Sequence, residues 1–263
     1  MERRVRPAAV AGAFYPSDPA RLRAEVAGLL GAAPAVGSAP PAALIVPHAG
    51  YVYSGPVAAT AYSLLARTRR GVRRVVAFGP AHFAPLEGLA LPGAAALATP
   101  LGEVPTDVEA EARAGRYPGV GVSPTAHARE HCLEVQLPFL QVVLAEPAVA
   151  ALLWGQTDPE QVAPLMEEFL GEEGTLVLVS SDLSHYLPYE EARRRDRDTA
   201  DAIARLEPEA LGPDDACGLV GVQALLLAAR RRGLAAACLD LRNSGDTAGD
   251  RRQVVGYGSF AFA

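Results

Sequence analysis

Lysine is missing from this chain of 263 residues, and all 24 of its basic residues are arginine. Asparagine occurs once, at Asn243. A shortage of labile amides is typical of heat-adapted proteins, although GC-rich coding alone also depletes lysine. The formal charge is −6, so the chain has no positive excess with which to neutralise nucleic-acid phosphates or an anionic membrane surface. We therefore expect neither nucleic acid nor membrane as a partner.

Long apolar runs are also absent. No uninterrupted apolar run approaches the roughly 20 residues that a membrane-spanning helix needs. The opening MERRVRPAAVAGAFYP is broken by charge and proline, unlike a secretory signal peptide. Only three cysteines occur, Cys132, Cys217 and Cys238, an odd and widely spaced set that argues against a disulfide framework. Together these features predict a cytoplasmic protein with free thiols.

Several catalytic and phosphate-binding motifs are missing as well. The chain contains no G-x-G-x-x-G, no G-x-x-x-x-G-K-[ST] and no G-x-S-x-G. The first two build backbone cradles for nucleotide phosphates, and the third places a catalytic serine on a sharp strand-to-helix turn. A nucleotide-dependent enzyme and an α/β-type serine hydrolase therefore have no direct support.

The chain does contain short apolar runs that alternate with helical patterns, and half of its residues are hydrophobic. Strands are predicted at residues 42–46, 74–78, 149–154, 175–179, 235–241 and 254–262. Helices are predicted at residues 19–30, 56–66, 131–145, 159–170, 190–206 and 219–232. This order favours a mostly parallel or mixed central sheet flanked by helices, with the last strand antiparallel or at an edge. No linker divides the chain, so we expect a single α/β domain over residues 1–263.

Three of the five histidines directly follow predicted strands. His48 follows the run 42–46, His82 follows 74–78, and His185 follows 175–179. In a parallel sheet the carboxyl ends of the strands share one edge, which is where ligands bind. One histidine after a strand is usually a hydrogen-bonded loop residue, but three at one edge predict a shared site. Neutral imidazoles bind iron, copper and zinc, so a metal site is the leading interpretation.

The other two histidines have weaker patterns. His131 stands at the start of a predicted helix beside Glu130 and Glu134. It either joins the site or belongs to a helix-start cap with solvated acids, and the sequence does not separate these interpretations. His127 lies in an unpatterned segment, where we expect a hydrogen-bonded loop residue.

Cys217 precedes a predicted helix whose amino end would favour the thiolate form. It is a candidate ligand or nucleophile, and a small buried hydrophobic residue is the simpler alternative. For Cys132 and Cys238 we expect that buried role. A nucleophilic hydrolase also remains open, in which Cys217 or Ser181 attacks, a histidine is the base and Asp182 orients it.

Eight ordered segments resemble one known family. They are AGAFYPSDP (11–19), PHAGYVYSGPVAATAY (47–62), GPAHF (79–83), TPLGEVPTD (99–107), EHCLEVQLPF (130–139), SSDLSHY (180–186), ACGLVGV (216–222) and NSGDTAGD with VVGYGSFAF (243–262). These segments are similar to Memo family proteins, in particular the prokaryotic branch called AmmeMemoRadiSam system protein B. The resemblance implies the fold of class III extradiol dioxygenases, in which two histidines and a carboxylate hold Fe(II) while another histidine is the acid/base for a catechol substrate.

Carried over residue by residue, the resemblance assigns roles within the expected site. His48 and His82 match the two histidine ligands, His185 matches the acid/base histidine, and Asp182 is its neighbour in the pocket. Cys217 stands where the dioxygenases have their carboxylate ligand. A thiolate is soft and oxidisable, so the cofactor is expected to be non-haem Fe(II) or copper, with zinc also accepted.

The resemblance leads to two expected functions. The first is a metal-binding, dioxygenase-like redox protein that acts on a small aromatic or hydroxylated substrate. The second is a catalytically silent module that holds a peptide or partner protein in the same cleft. The family name further implies radical-SAM and AMMECR1-type proteins as partners.

Overall fold

A computed structural model of the chain describes residues 4–37, 39–68 and 71–263. The strands of these residues are β1 (Val5–Arg6), β2 (Ala43–Val46), β3 (Arg74–Pro80), β4 (Leu89–Leu91), β5 (Ala96–Thr99), β6 (Gly102–Pro105), β7 (Val120–Val122), β8 (Ala148–Trp154), β9 (Thr175–Ser180), β10 (His185–Leu187), β11 (Ala236–Asn243) and β12 (Val254–Phe262). The α-helices are α1 (Pro19–Ala32), α2 (Tyr51–Thr68), α3 (Val108–Ala114), α4 (Pro124–Ala128), α5 (Leu137–Val143), α6 (Pro159–Phe169), α7 (Tyr189–Ala204), α8 (Leu219–Arg232) and α9 (Ser244–Thr247). Short 3₁₀ helices cover Glu134–Gln136 and Pro208–Ala210.

The larger sheet has the strand order β10-β12-β2-β9-β3-β8-β4-β7, and β11 also pairs with β12. Strands β2, β9, β3 and β8 run parallel in its centre. β12 joins β2 antiparallel on one side, and β4 joins β8 antiparallel on the other. A smaller sheet contains β1, β5 and β6. The predicted mixed α/β architecture is therefore confirmed, and β12 is an antiparallel member inside the sheet.

The central strands are buried on both faces, as their continuous apolar runs predict. Alternate residues of β9 enter different cores: Leu176 and Leu178 face one, and Val177 and Val179 face the other. The first core includes residues of α1, α2 and α5, and the second includes residues of α6, α7 and α8. The sheet is thus covered by helices on both sides, which leaves its strand ends as the place for a ligand site.

Most of the predicted elements are present within a residue or two of their expected bounds, and residues 219–232 match α8 at both ends. Helix α2 begins earlier than expected, at Tyr51, so that Pro56 lies inside it. The helix predicted over 131–145 is present only in part, over residues 134–143. Residues 129–133 form a turn instead, and the α-helical part begins only at Leu137, with Pro138 in its first turn.

The short strands β4, β5, β6, β7 and β10, each of three or four residues, were not predicted. Periodicity cannot distinguish a strand of this length from a loop. None of the described helices combines the length and apolarity needed to cross a membrane.

Candidate metal centre

Three parallel, adjacent strands of the sheet end beside one another and deliver the polar residues of the site. Strands β2, β9 and β3 are neighbours in that order. His48, Asp182 and His82 each stand two residues beyond the end of β2, β9 and β3, respectively. The strand ends therefore bring these three residues to one edge, as the strand pattern predicted for His48 and His82.

Three imidazoles meet at this edge. The ring centroids are 5.3 Å apart for His48 and His82, 5.5 Å for His48 and His131, and 5.0 Å for His82 and His131. One nitrogen from each ring can be chosen so that all three lie within 4.8 Å of one another. His131 comes from the turn before α5, and the structure places it in the histidine group.

His48 is fixed by a hydrogen bond behind its ring. Its Nδ1 lies 3.0 Å from Ser180 Oγ, and that hydroxyl donates its own hydrogen to Cys132 O at 2.7 Å. The hydroxyl therefore accepts from the imidazole, which puts the proton on Nδ1 and leaves the Nε2 lone pair free. Burial lowers the pKa of His48 to about 3, so the ring is neutral at pH 7.

His82 is held in the same way by a carboxylate. Its Nδ1 lies 2.9 Å from Glu130 Oε1, and its backbone N–H donates to Glu130 Oε2 at 2.7 Å. Burial works to raise the pKa of Glu130, but the hydrogen bonds from His82 outweigh it and hold the pKa near 2. An ionised carboxylate only accepts, so the imidazole carries a proton on Nδ1, and its neutral form presents a free Nε2.

His131 is the least supported of the three rings. Burial, and then the neighbouring His48, lower its pKa to about 4. Its Nδ1 is buried without a hydrogen-bond partner, 3.3 Å from Glu130 Oε1. Phe14 and Phe83 contact the ring at centroid distances of 4.8 Å and 5.7 Å. Buried polar atoms without a partner are rare in proteins, and a bound ion is one of the explanations for such an atom.

Cys217 approaches His48 from the loop before α8. Its Sγ lies 3.3 Å from His48 Nε2 and accepts from the backbone N–H of Asp182, also at 3.3 Å. The helix begins where predicted, but the expected thiolate is not favoured. Burial, followed by the charge of Asp182, raises the pKa of Cys217 to about 12. The metal-free thiol is therefore protonated and directed towards the free nitrogen of His48.

Among the described residues, two sets of three side chains bring their ligand atoms close enough for a metal ion, and Cys217 is in neither. The first set is His48, His82 and His131, and the second is His82, Glu130 and Cys132. Cys132 fits a metal poorly, because its buried thiol donates to Pro80 O and burial raises its pKa well above the usual value. The histidine set has the better donor chemistry, and Cys217 as a ligand stays a prediction.

Asp182 and His185 border the same site. Asp182 is 4% exposed, accepts from the backbone N–H of His48 at 2.7 Å, and has its pKa raised by burial to about 6. His185 is exposed, and its Nδ1 lies 2.8 Å from Leu183 O. Because a carbonyl can only accept, the His185 ring is held with a proton on Nδ1.

An open cleft of about 960 Å³ leads to this site. His131, Asp182 and His185 line it together with the aromatic residues Phe14, Tyr53, Tyr186 and Tyr257. Tyr186 has a φ of 57° and is 68% exposed. A non-glycine residue in this left-handed region is strained, and such strain is concentrated at functional sites.

The remaining predicted residues have structural surroundings. His127 is 4% exposed in α4, with its Nε2 2.8 Å from Ala90 O. Ser181 is buried, donates to Asp182 O and accepts from Gly218 N, which is unfavourable for a nucleophile. Cys132 is buried as expected, whereas the expectation for Cys238 is wrong because that cysteine is exposed on β11.

A sequence model of one family, described as Memo-like protein, matches residues 6–261. The chain belongs to the Memo family. A "MEMO1 family protein" from Aquifex aeolicus is 36% identical to it over 97% of both chains. "MEMO1 family protein MK0963" from Methanopyrus kandleri is 35% identical over 97% of both chains. A "MEMO1 family protein" from Sulfolobus acidocaldarius is 34% identical over 98% of this chain and 99% of its own.

Memo proteins have the extradiol dioxygenase-like fold, which agrees with the position of this site at the carboxyl ends of parallel strands. The cluster of histidine, glutamate and cysteine side chains could hold a metal ion. Sequence patterns did not indicate the roles of Ser180 and Glu130 behind the two rings. The polar run Ser180-Ser181-Asp182 at the end of a buried strand was the one available signal for Ser180.

Proposed function

We propose that this Memo-family chain binds a transition-metal ion through His48 and His82 and uses it in dioxygenase-like oxidoreductase chemistry. The observation that carries the proposal is the matched orientation of the two rings. Each has its Nδ1 committed to an acceptor, Ser180 Oγ or Glu130 Oε1, and each leaves Nε2 free. Metal-binding histidines in proteins are held in this way, because the bond behind the ring fixes both tautomer and direction.

Two residues are candidates for the third metal donor, His131 and Cys217. His131 completes the set of nitrogens that lie within 4.8 Å of one another. Cys217, the donor that family resemblance supplies, lies 3.3 Å from His48 Nε2 and would exchange its proton for the metal. A set of imidazoles accepts Fe(II), copper or zinc, and a thiolate shifts the preference towards Cu(I) and zinc. We propose Cys217 as the third ligand and His131 as an additional donor.

Bound Fe(II) or copper would supply electron transfer and oxygen activation. The protein's own residues would bind and orient a small aromatic or hydroxylated substrate in the cleft, which Phe14 and Tyr257 line. His185 would accept the substrate's proton at Nε2, because its Nδ1 is held by Leu183 O. Asp182, with its pKa near 6, would balance the positive charge that His185 gains.

The test is elemental analysis of anaerobically purified protein, followed by reloading with Fe²⁺, Cu⁺ and Zn²⁺ separately. We expect one metal ion per chain in wild type and loss of that ion in the double variant His48→Ala, His82→Ala. Cys217→Ala and His131→Ala then rank the two further donors. Wild type that binds none of the three ions stoichiometrically would overturn the proposal.

A silent binding module is the second candidate, and exposed apolar residues at the cleft favour it. Val52, Tyr53 and Tyr186 are 61%, 40% and 68% exposed and all line the cleft. Exposed apolar patches of this kind bind peptides or partner proteins. Under this candidate, the radical-SAM and AMMECR1-type proteins are proposed occupants. The Tyr53→Ser variant tests this candidate. If the variant binds metal as wild type does but no longer binds the partner, the binding module is favoured.

A further inference from the structure

Glu130 is a buried carboxylate on which four N–H groups converge. It is 2% exposed. Oε2 accepts from His82 N at 2.7 Å, and Oε1 accepts from His82 Nδ1, His131 N and Cys132 N at 2.9, 2.9 and 3.0 Å. All four partners are donors, so the carboxylate satisfies groups that no amide or hydroxyl could satisfy together.

These bonds connect two histidines that come from different parts of the chain. His82 follows β3, and His131 lies in the turn beside Glu130, which is 48 residues after His82. Glu130 fixes the backbone and ring of the first and the backbone of the second. The imidazole rings of His82 and His131 are nearly parallel, with an interplanar angle of 23° and centroids 5.0 Å apart.

We propose that Glu130 is a positioning residue that sets the tautomer of His82 and the relative placement of His82 and His131. The inference rests on the proposed metal site and deepens it, since it names the group that prepares two donors before the ion arrives. A neutral imidazole in water prefers its proton on Nε2. Without the carboxylate, His82 would tend to carry its proton on the nitrogen that must bind the metal.

Glu134 offers a matched control. It is also 2% exposed and stands four residues along the same segment. Its carboxylate accepts from Ala9 N and Val10 N at 2.7 and 3.0 Å and pairs with Arg6. Substitution of Glu134 therefore removes an equally buried carboxylate, but one whose hydrogen bonds hold the N-terminal segment and not the histidines.

The first measurement is the side-chain ¹⁵N spectrum of metal-free protein labelled at histidine, with the His82 signals identified by their loss in His82→Ala. We expect His82 as the Nδ1–H tautomer in wild type. Glu130→Gln should keep that tautomer, because the amide oxygen can replace Oε1. Glu130→Ala should shift the proton to Nε2, while Glu134→Ala should leave the His82 signals unchanged.

The second measurement is Zn²⁺ affinity in competition with a chromophoric chelator. Loss of a partner behind a metal-binding histidine costs about 10- to 100-fold in affinity, so we expect the low end for Glu130→Gln and the high end for Glu130→Ala. The Glu134 variants should stay within about threefold of wild type even where they lower thermal stability.

Two results would overturn the positioning role. One is a wild-type His82 with its proton on Nε2, which needs no variant to fold. The other is Glu130 variants that match the Glu134 variants in both measurements. Failure of the wild type to bind Zn²⁺ would count against the metal site alone, because the tautomer of His82 decides the role of Glu130 without any metal.

Discussion

His48 Nε2 and Cys217 Sγ lie 3.3 Å apart, although 169 positions separate the two residues in the chain. The imidazole is neutral and accepts, since burial lowers its pKa to about 3. The thiol is protonated and donates, since burial raises its pKa to about 12. A catalytic cysteine needs the opposite arrangement, with a thiolate beside an imidazolium. The pair is therefore better suited to exchange one proton for a metal ion than to attack a substrate.

That exchange gives a prediction for proton release. If Cys217 is a ligand, the apparent Zn²⁺ affinity should rise about tenfold from pH 7.5 to 8.5, because each ion displaces one thiol proton. Between these pH values His48 and His131 are already neutral and add no slope. The measurement is chelator competition, corrected for hydroxide binding to the free ion. Cys217→Ala should abolish the slope, and an equal slope in wild type and variant would exclude the thiol as ligand.

A second prediction compares two histidines with different roles. His82→Ala should lose stoichiometric metal at a small cost in stability, because the His82 side chain is 30% exposed and three backbone N–H groups still donate to Glu130. His127→Ala should keep the metal but lose about 1 to 3 kcal/mol of unfolding free energy, because a buried hydrogen bond to Ala90 O is removed. Metal content and urea unfolding of both variants test this. Loss of metal in both, or in neither, would contradict the assignment.

A third prediction concerns Glu111 on α3, away from the metal site. One oxygen of this carboxyl is buried without a partner, and burial, with Asp107 nearby, raises its pKa to about 7. The folded state therefore holds the proton more tightly than the unfolded state, whose pKa is near 4.5. This contribution to stability is present at low pH and is lost as the pH rises through about 7.

Glu111→Gln should remove this fall in unfolding free energy with rising pH, because the amide does not titrate. Between pH 5 and pH 8 the unfolding free energy of wild type should fall by about 1 kcal/mol more than that of the variant, after allowance for screening of a half-buried group. Glu109→Gln is the control on the same helix, since Glu109 is 69% exposed. It should follow the wild-type pH dependence. Urea unfolding at the two pH values measures all three proteins, and an equal fall in Glu111→Gln and wild type would contradict the prediction.

The position of the site was predictable from the sequence because it depends on local features. Short apolar runs mark buried parallel strands, and the polar residues after them must meet at one edge of the sheet. For His48 and His82 this reasoning needs only the strand ends. Nothing in it requires knowledge of contacts between distant residues.

The turn that carries His131 was not predictable in this way. The apolar pattern favoured a helix from residue 131, but Glu130 Oε1 captures the backbone N–H groups of His131 and Cys132. That carboxylate is held in place by His82, 48 positions earlier. The early start of α2 has a similar cause, because Tyr51 N donates to Phe14 O at 2.8 Å. Long-range bonds of this kind override local propensity and leave no periodic signal.

In the proposed site, Cys217 takes the place of the carboxylate ligand of an iron dioxygenase. Cys217→Asp would replace a soft donor with a hard one and should shift metal preference from Cu(I) towards Fe(II). It should also remove the peroxide sensitivity of metal binding, since sulfur oxidation can no longer displace the ion. Asp182 lies against this position, so the new carboxylate will bind best with a cation present to offset the repulsion. Aspartate is preferred to glutamate because overpacking a tight site costs about 1 to 3 kcal/mol.

The comparison is best made in a Cys238→Ala background, because Cys238 is an exposed thiol that peroxide also reaches. Cys217→Ser serves as the matched control, since it removes the soft thiolate without adding a charge. Each protein is loaded anaerobically with Cu⁺ and Fe²⁺ in competition, and the bound metal is measured before and after peroxide. We expect Fe²⁺ preference and peroxide resistance in Cys217→Asp, and weakened binding of both ions in Cys217→Ser. If all three proteins show one preference and one peroxide response, the metal is held by the histidines without Cys217, and this thiol is a packed neighbour of His48.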